Sequence, residues 1–174
     1  MRVRRWVTAV ATCLAVLVPT GPVAAAPPPD PVNGTSLYQW WNAARGDYYA
    51  AGTEVGNLSA VQNGYAKLRV EGAVITSDTA GTVPLYLFWN PWRQDNYTTA
   101  TQEGIQSAIA YGYQYVRVEG RVFTTQVAAS VPLYTYWNAA NADNLTVANP
   151  ATMNEAVARG YVRVRLEGYV YPAT

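Results

Sequence analysis

The residues with most chemistry to offer in this sequence are carboxylates that recur at one interval. Asp47, Asp95 and Asp143 lie 48 residues apart, and so do Glu71, Glu119 and Glu167. Hydrolysis of a glycosidic bond needs two carboxylates at a set separation and in unequal environments. Equivalent glutamates in equivalent settings do not provide that inequality. The chain has no histidine, and its single cysteine is Cys13. Ser-His-Asp and Cys-His machinery, zinc fingers and a disulfide framework are therefore excluded. No catalytic residue and no cofactor is assigned. Each aspartate stands alone in its own stretch, without the alternating oxygen ligands of a calcium loop, so no metal site is assigned either. The favoured role for each is an Asx hydrogen bond that closes its loop. Orientation of a ligand hydroxyl is the alternative.

Ligand-contacting residues are the next candidates. Trp41, Trp89 and Trp137 recur at the same interval and could stack on the apolar face of a sugar. Their presence at a strand position in every copy favours a core role instead. Asn42, Asn90 and Asn138 begin the loops that the aspartates end, and read in the same two ways. Arg69 and Glu71, with Arg117–Glu119 and Arg165–Glu167, lie two apart on one strand face. They could be a functional pair in triplicate, but the favoured reading is ion pairs covering the sheet or joining adjacent copies. Function also lives where copies differ. Trp92-Arg93 occupies a loop that holds Ala44-Arg45 in copy one and Ala140-Asn141 in copy three. A tryptophan in a polar loop beside an arginine has the makings of an interface anchor. The candidate ligand-binding residues are thus Trp92, Arg93, Asn42, Asp47, Asn90, Asp95, Asn138 and Asp143.

The elements that must position these residues follow from the repeat. Without a single gap, twelve of 48 columns are identical in all three copies, from Leu37-Tyr38 through Trp41-Asn42 to Arg69-x-Glu71-Gly72 and Val74. Copies span about 36–83, 84–131 and 132–174. Each predicts an aromatic strand such as Leu85–Trp89, a loop from Asn90 to Asp95, and a short second strand. A helix of about ten residues follows, N-capped by Thr53, Thr101 or Asn149, with Pro150 in the first turn of the third. Gly64, Gly112 and Gly160 suit the position just past its end. Ala60 and Val61, with their equivalents, are expected to face the core, together with Ile105 and Met153. A last strand runs from Tyr113 to Glu119, kinks at Gly120 and resumes. One copy cannot close a core, but three can. The expected fold is mainly β with one short helix per repeat: a pseudo-threefold, closed, β-trefoil-like architecture of three 48-residue repeats. A three-bladed radial arrangement is the alternative.

The pattern Leu85-Tyr86-x-x-Trp89-Asn90, Asp95-Asn96-Tyr97-Thr98-Thr99, Gly112-Tyr113 and Glu119-Gly120 resembles a family of three-repeat modules of unknown function. These occur in secreted bacterial proteins, often beside cell-wall or polysaccharide hydrolases. The resemblance covers residues 36–172 and implies an extracellular accessory or binding role by association. The family pattern places a histidine after the aspartate, where this chain has Tyr48, Asn96 and Asn144. If the family binds through that histidine, this protein does not.

Arg2, Arg4 and Arg5 precede an apolar run to Pro19, and Val23-Ala24-Ala25-Ala26 offers small residues for cleavage. Residues 1–26 read as a secretory signal peptide, and residues 27–35 as a proline-rich linker before one domain, 36–174. Removal of the signal takes away three of the 12 basic residues and none of the 11 acidic ones. The net charge turns slightly negative, so no basic patch for nucleic acid remains, and no stable membrane span is left. The sequence therefore predicts a secreted, extracellular, non-catalytic binding module. Its expected partner is an extracellular polysaccharide or cell-wall polymer, with repeated weak sites gaining by avidity. The alternative is a protein-binding adaptor, inhibitor or subunit of a secreted complex. A carboxylate-based hydrolase is the third reading.

Overall fold

A computed structural model of the chain describes residues 34–173. The expected signal peptide and nearly all of the expected linker lie outside the described residues, while Gly34 and Thr35 already belong to the first strand. Three units with the same order of elements follow one another. The first contains β1 (Gly34–Asn42), β2 (Asp47–Ala51), α1 (Glu54–Gln62) and β3 (Ala66–Ile75). The second contains β4 (Thr82–Asn90), β5 (Asp95–Thr99), α2 (Gln102–Ala110) and β6 (Gln114–Phe123). The third contains β7 (Val131–Asn138), β8 (Asp143–Val147), α3 (Pro150–Ala158) and β9 (Val162–Val170). The protein is mainly β, with three short helices, and all strand pairs are antiparallel. Among the described residues no helix is long and apolar enough to cross a membrane.

Within a unit the first strand pairs with both others. Trp89 faces Asn96 on β5 and Gln114 on β6, for example. Between units the pairing is narrow. Ile75 meets Arg121, Phe123 meets Tyr169, and Tyr171 meets Ala73 in an isolated bridge. These three contacts link unit one to two, two to three, and three back to one.

The central core takes matching residues from every unit: Leu37, Leu85 and Leu133 with Val74, Val122 and Val170. Burying each such side chain stabilises by about 1.5–3 kcal/mol relative to exposure. Three smaller aromatic clusters sit under the helices, on Ala60, Ala108 and Ala156.

The helices start where expected. The side-chain oxygens of Thr53, Thr101 and Asn149 accept from Gly56 N, Gly104 N and Ala151 N. They end at Gly64, Gly112 and Gly160, whose φ angles of 77°, 79° and 84° are cheap only for glycine. One expectation fails. Val61, Ile109 and Val157 are 61%, 64% and 63% exposed rather than facing the core. In α2 the helix lies so close to its sheet that a Cβ on Gly104 would fall 1.8 Å from Thr99 Oγ1, and the same column holds Gly56 in α1 and Thr152 in α3. Only small residues fit that contact line, so Ala60 and its equivalents occupy it and the next residue is rotated outward. Ile105 and Met153 pack at the edge of the helix clusters, as expected.

Candidate functional site

The loop residues have structural partners. Asn42, Asn90 and Asn138 are buried. The side-chain oxygen of Asn90 accepts from Trp92 N and Arg93 N, and its amide donates to Tyr111 O at the end of α2. Asn42 and Asn138 repeat that arrangement. They are loop-closing Asx residues that also tie the loop to the helix.

The aspartates differ from the expected Asx turn, because their oxygens leave their own loop. Asp47 Oδ1 accepts from Asn96 N and Oδ2 from Asn96 Nδ2, both in the next unit, while Tyr65 Oη donates to Oδ2. Asp95 does the same with Asn144 and Tyr113. Asp143 accepts from Tyr48 N and from Tyr161 Oη. The fold gathers all three, and one carboxylate oxygen from each lies within 4.8 Å of the others. Nothing in the spacing of single aspartates shows this convergence. Burial is the main cause that raises all three pKa values, and the neighbouring carboxylates raise Asp47 and Asp143 further. Asp47 is pushed up to about 8, despite the bonds from Asn96 and Tyr65 that favour its ionised form. Such a cluster has the ligand types for a hard cation, but protein donors already engage its oxygens.

The glutamates join units as well. Glu119 is fully buried and accepts from Gly52 N, Thr53 N, Thr53 Oγ1 and Tyr49 Oη of the preceding unit. It also pairs with Arg117, whose Nε lies 2.6 Å away. Glu167 meets Thr99, Ala100 and Thr101 in the same way, and Glu71 meets Ala148, Asn149 and Thr152. Each helix N-terminus, which carries orphan N–H groups and a partial positive charge, is thus held by a carboxylate from another unit. Joining adjacent copies was one expected role for these residues. That the strand face carrying them is the buried one was not legible. Val116, on the other face, is 39% exposed.

Pockets open where one unit meets the next. Between units two and three lies a pocket of about 260 Å³, lined by Arg93, Tyr111, Tyr113, Trp137, Asn144 and Arg165 among others. The Arg93 guanidinium carbon lies 5.1 Å from the Tyr111 ring centroid and 5.8 Å from those of Tyr113 and Trp137. Between units one and two lies a counterpart of about 200 Å³, lined by Arg45, Asn63, Tyr65, Trp89, Asn96 and Arg117 among others. There the Arg45 guanidinium carbon lies 5.5 Å from the Tyr65 centroid and 5.4 Å from that of Trp89. Trp89 and Trp137 are therefore half-buried pocket walls and not members of the central core.

The junction between units three and one is packed. Tyr48 stands in place of Asn96 and Asn144, and its ring lies 4.4 Å from Trp41 and 6.0 Å from Tyr161. Glu155 stands in place of Ser59 and Ser107, and both its oxygens lie 2.8 Å from Arg69 Nη2. Of the residues expected to bind a ligand, only Arg93 lines either pocket at these junctions. Trp92, its neighbour, is 93% exposed on the same loop. The sequence signal that could have found the pockets is the set of columns where Tyr48 and Glu155 depart from the other copies.

No curated protein and no solved structure matches this chain. A family model described as a domain of unknown function, DUF5648, matches residues 20–118 and, in a second overlapping segment, residues 94–174. Overlapping matches to one model suit a chain in which the same motif set recurs, and together they span most of its length. The chain belongs to the family described as a domain of unknown function, DUF5648.

Proposed function

We propose that this protein is a secreted, non-catalytic module that binds a glycan of the cell wall or another extracellular polymer. The observation that carries the reading is the pocket between units two and three. Flat aromatic walls from Tyr111 and Trp137 face hydrogen-bonding groups from Arg93, Asn144 and Arg165 in a single cleft. An aromatic wall offers a stacking surface to a pyranose ring, and directional polar groups at its edge fix orientation. In this reading the units close around an approximate threefold axis, trefoil-like, and each site is completed by two units. Carboxylates do not favour catalysis, because the buried aspartates and glutamates serve the joints between units.

Pull-down of the purified protein on insoluble polysaccharides and purified cell walls tests the reading, beside Trp137→Ala and Trp92→Ala variants. Saturable binding that Trp137→Ala weakens at least tenfold supports it. No binding to any polymer rejects it. A protein-binding role is the second reading, favoured by the exposed indole of Trp92 beside Arg93. A supernatant protein captured by the parent and lost with Trp92→Ala, with no polymer bound, would establish that one.

A further inference from the structure

The charge of the pocket walls narrows the ligand. Each of the two aromatic pockets described above is lined by two arginines, Arg93 with Arg165 and Arg45 with Arg117, and by no aspartate or glutamate. The clefts beside the helix N-termini are lined instead by Glu54, Asp78 and Glu119 or by Glu103 and Glu167. Arg165 and Arg117 already lean on the buried Glu167 and Glu119, at 3.6 Å and 2.6 Å. Arg93 and Arg45 have no carboxylate within ion-pair distance among the described residues. They lie over aromatic rings, and Arg45 also donates to Tyr65 Oη at 3.2 Å and Asn63 Oδ1 at 3.3 Å. A guanidinium packed against aromatic rings still has N–H groups to offer, suited to a carboxylate.

The packed junction supplies an internal comparison. There the position of Arg45 and Arg93 is Asn141, and the helix position that faces the pocket as Ser59 or Ser107 is Glu155. That glutamate places both carboxylate oxygens on Arg69, the counterpart of Arg117 and Arg165. The chain thus furnishes its own carboxylate at one junction, and Tyr48 covers the tryptophan beside it. At the other two junctions the helix offers only a serine, no carboxylate answers the arginine of the loop, and the tryptophan is left to the pocket.

We propose that the two aromatic junction pockets each bind a carboxylate-bearing sugar residue of an extracellular polymer, with the acid group on Arg93 or Arg45 and the ring against Trp137 or Trp89. This rests on the glycan-binding reading above and adds its chemical class and a stoichiometry of two. A neutral sugar would leave each pocket with a cation facing no anion.

Isothermal titration of the protein with carboxylated oligosaccharides tests this. Suitable probes are oligogalacturonate, alginate and hyaluronan fragments, each beside its carboxyl-reduced neutral form, with a sulfated oligosaccharide as a further arm. The expected result is binding of a carboxylated probe at two sites per chain, weakened by salt and at least tenfold weaker for the reduced form. Arg93→Gln is expected to remove one site and Arg45→Gln the other. A thermal midpoint unchanged from the parent would show that each variant is folded. Equal binding of the reduced form overturns the acidic-sugar inference and leaves the glycan reading standing. Binding of the sulfated probe alone overturns the carboxylate assignment. One site in the parent overturns the equivalence of the two pockets. No binding of any probe here, together with none to any polymer in the pull-down, rejects both readings.

Discussion

At the scale of single residues, the three copies act as controls for one another. Gln39, Leu87 and Thr135 occupy one column, and all three are buried. Leu87 packs with Trp40 and Tyr65, and Thr135 donates to Glu167. Gln39 does neither, since its amide nitrogen and oxygen find no partner among the described residues. An unsatisfied buried polar group costs roughly 1–3 kcal/mol. Gln39→Leu, which nearly conserves volume and copies unit two, is expected to raise the thermal midpoint by several degrees in differential scanning calorimetry. A midpoint equal to or below the parent's would show that the amide is satisfied in solution. Residue roles were legible from the sequence when they are local. The N-cap of Thr101 and the loop closure by Asn90 depend on neighbours a few positions away. The role of Glu119 was only half legible, because its partners Gly52 and Thr53 lie 67 and 66 residues distant.

Helix starts and the glutamates that hold them are the weak points at the scale of elements. A nine-residue helix is too short to persist on propensity alone, so its N-terminus depends on donors satisfied from outside. Glu119 serves α1 while paired with Arg117, whereas Glu71 serves α3 after Arg69 has turned to Glu155. Burial raises the pKa of Glu71, as befits a carboxylate whose arginine is engaged elsewhere. The two substitutions to glutamine should therefore differ. Glu119→Gln breaks a buried ion pair and is expected to destabilise by about 3–5 kcal/mol. Glu71→Gln exchanges one acceptor for an amide and is expected to cost about 1–3 kcal/mol. Urea unfolding of both variants measures the difference, and equal losses would show that the arginine adds nothing to the joint. Element identity was readable because strand alternation, caps and terminal glycines are local signals. The outward turn of Val61 was not, since it follows from how closely the helix sits on its sheet.

At the scale of the whole molecule, the consequential event is the meeting of Asp47, Asp95 and Asp143. Each aspartate was readable as a lone loop residue, and only the return of unit three onto unit one makes them neighbours. Such a cluster sets a pH dependence whose sign can be worked out. In the unfolded chain an aspartate titrates near 3.9. In the folded protein all three are raised, Asp47 to about 8, with burial as the first cause. Between these values the folded state holds protons that the unfolded state has released, so stability falls as pH rises. The contribution is fully present below about pH 4 and lost by about pH 8. Glu71, also raised by burial, acts in the same direction. Thermal midpoints measured from pH 4.5 to 8.5 are expected to decline steadily, by an amount on the order of a few kcal/mol in stability. Asp143→Asn is the substitution the geometry tolerates best. Tyr48 has replaced the asparagine that donates a side-chain bond to Asp47 and Asp95, leaving Asp143 the fewest donors to displace. That variant removes one of the three charges and should flatten the profile, matching the parent more closely at pH 5, where Asp143 holds its proton, than at pH 8. A divalent cation seated among the aspartates would favour their ionised forms and invert the slope. A midpoint that climbs with pH and falls on adding chelator would therefore establish a metal centre, whereas a decline insensitive to chelator is the signature of shared protons at the point where the units meet.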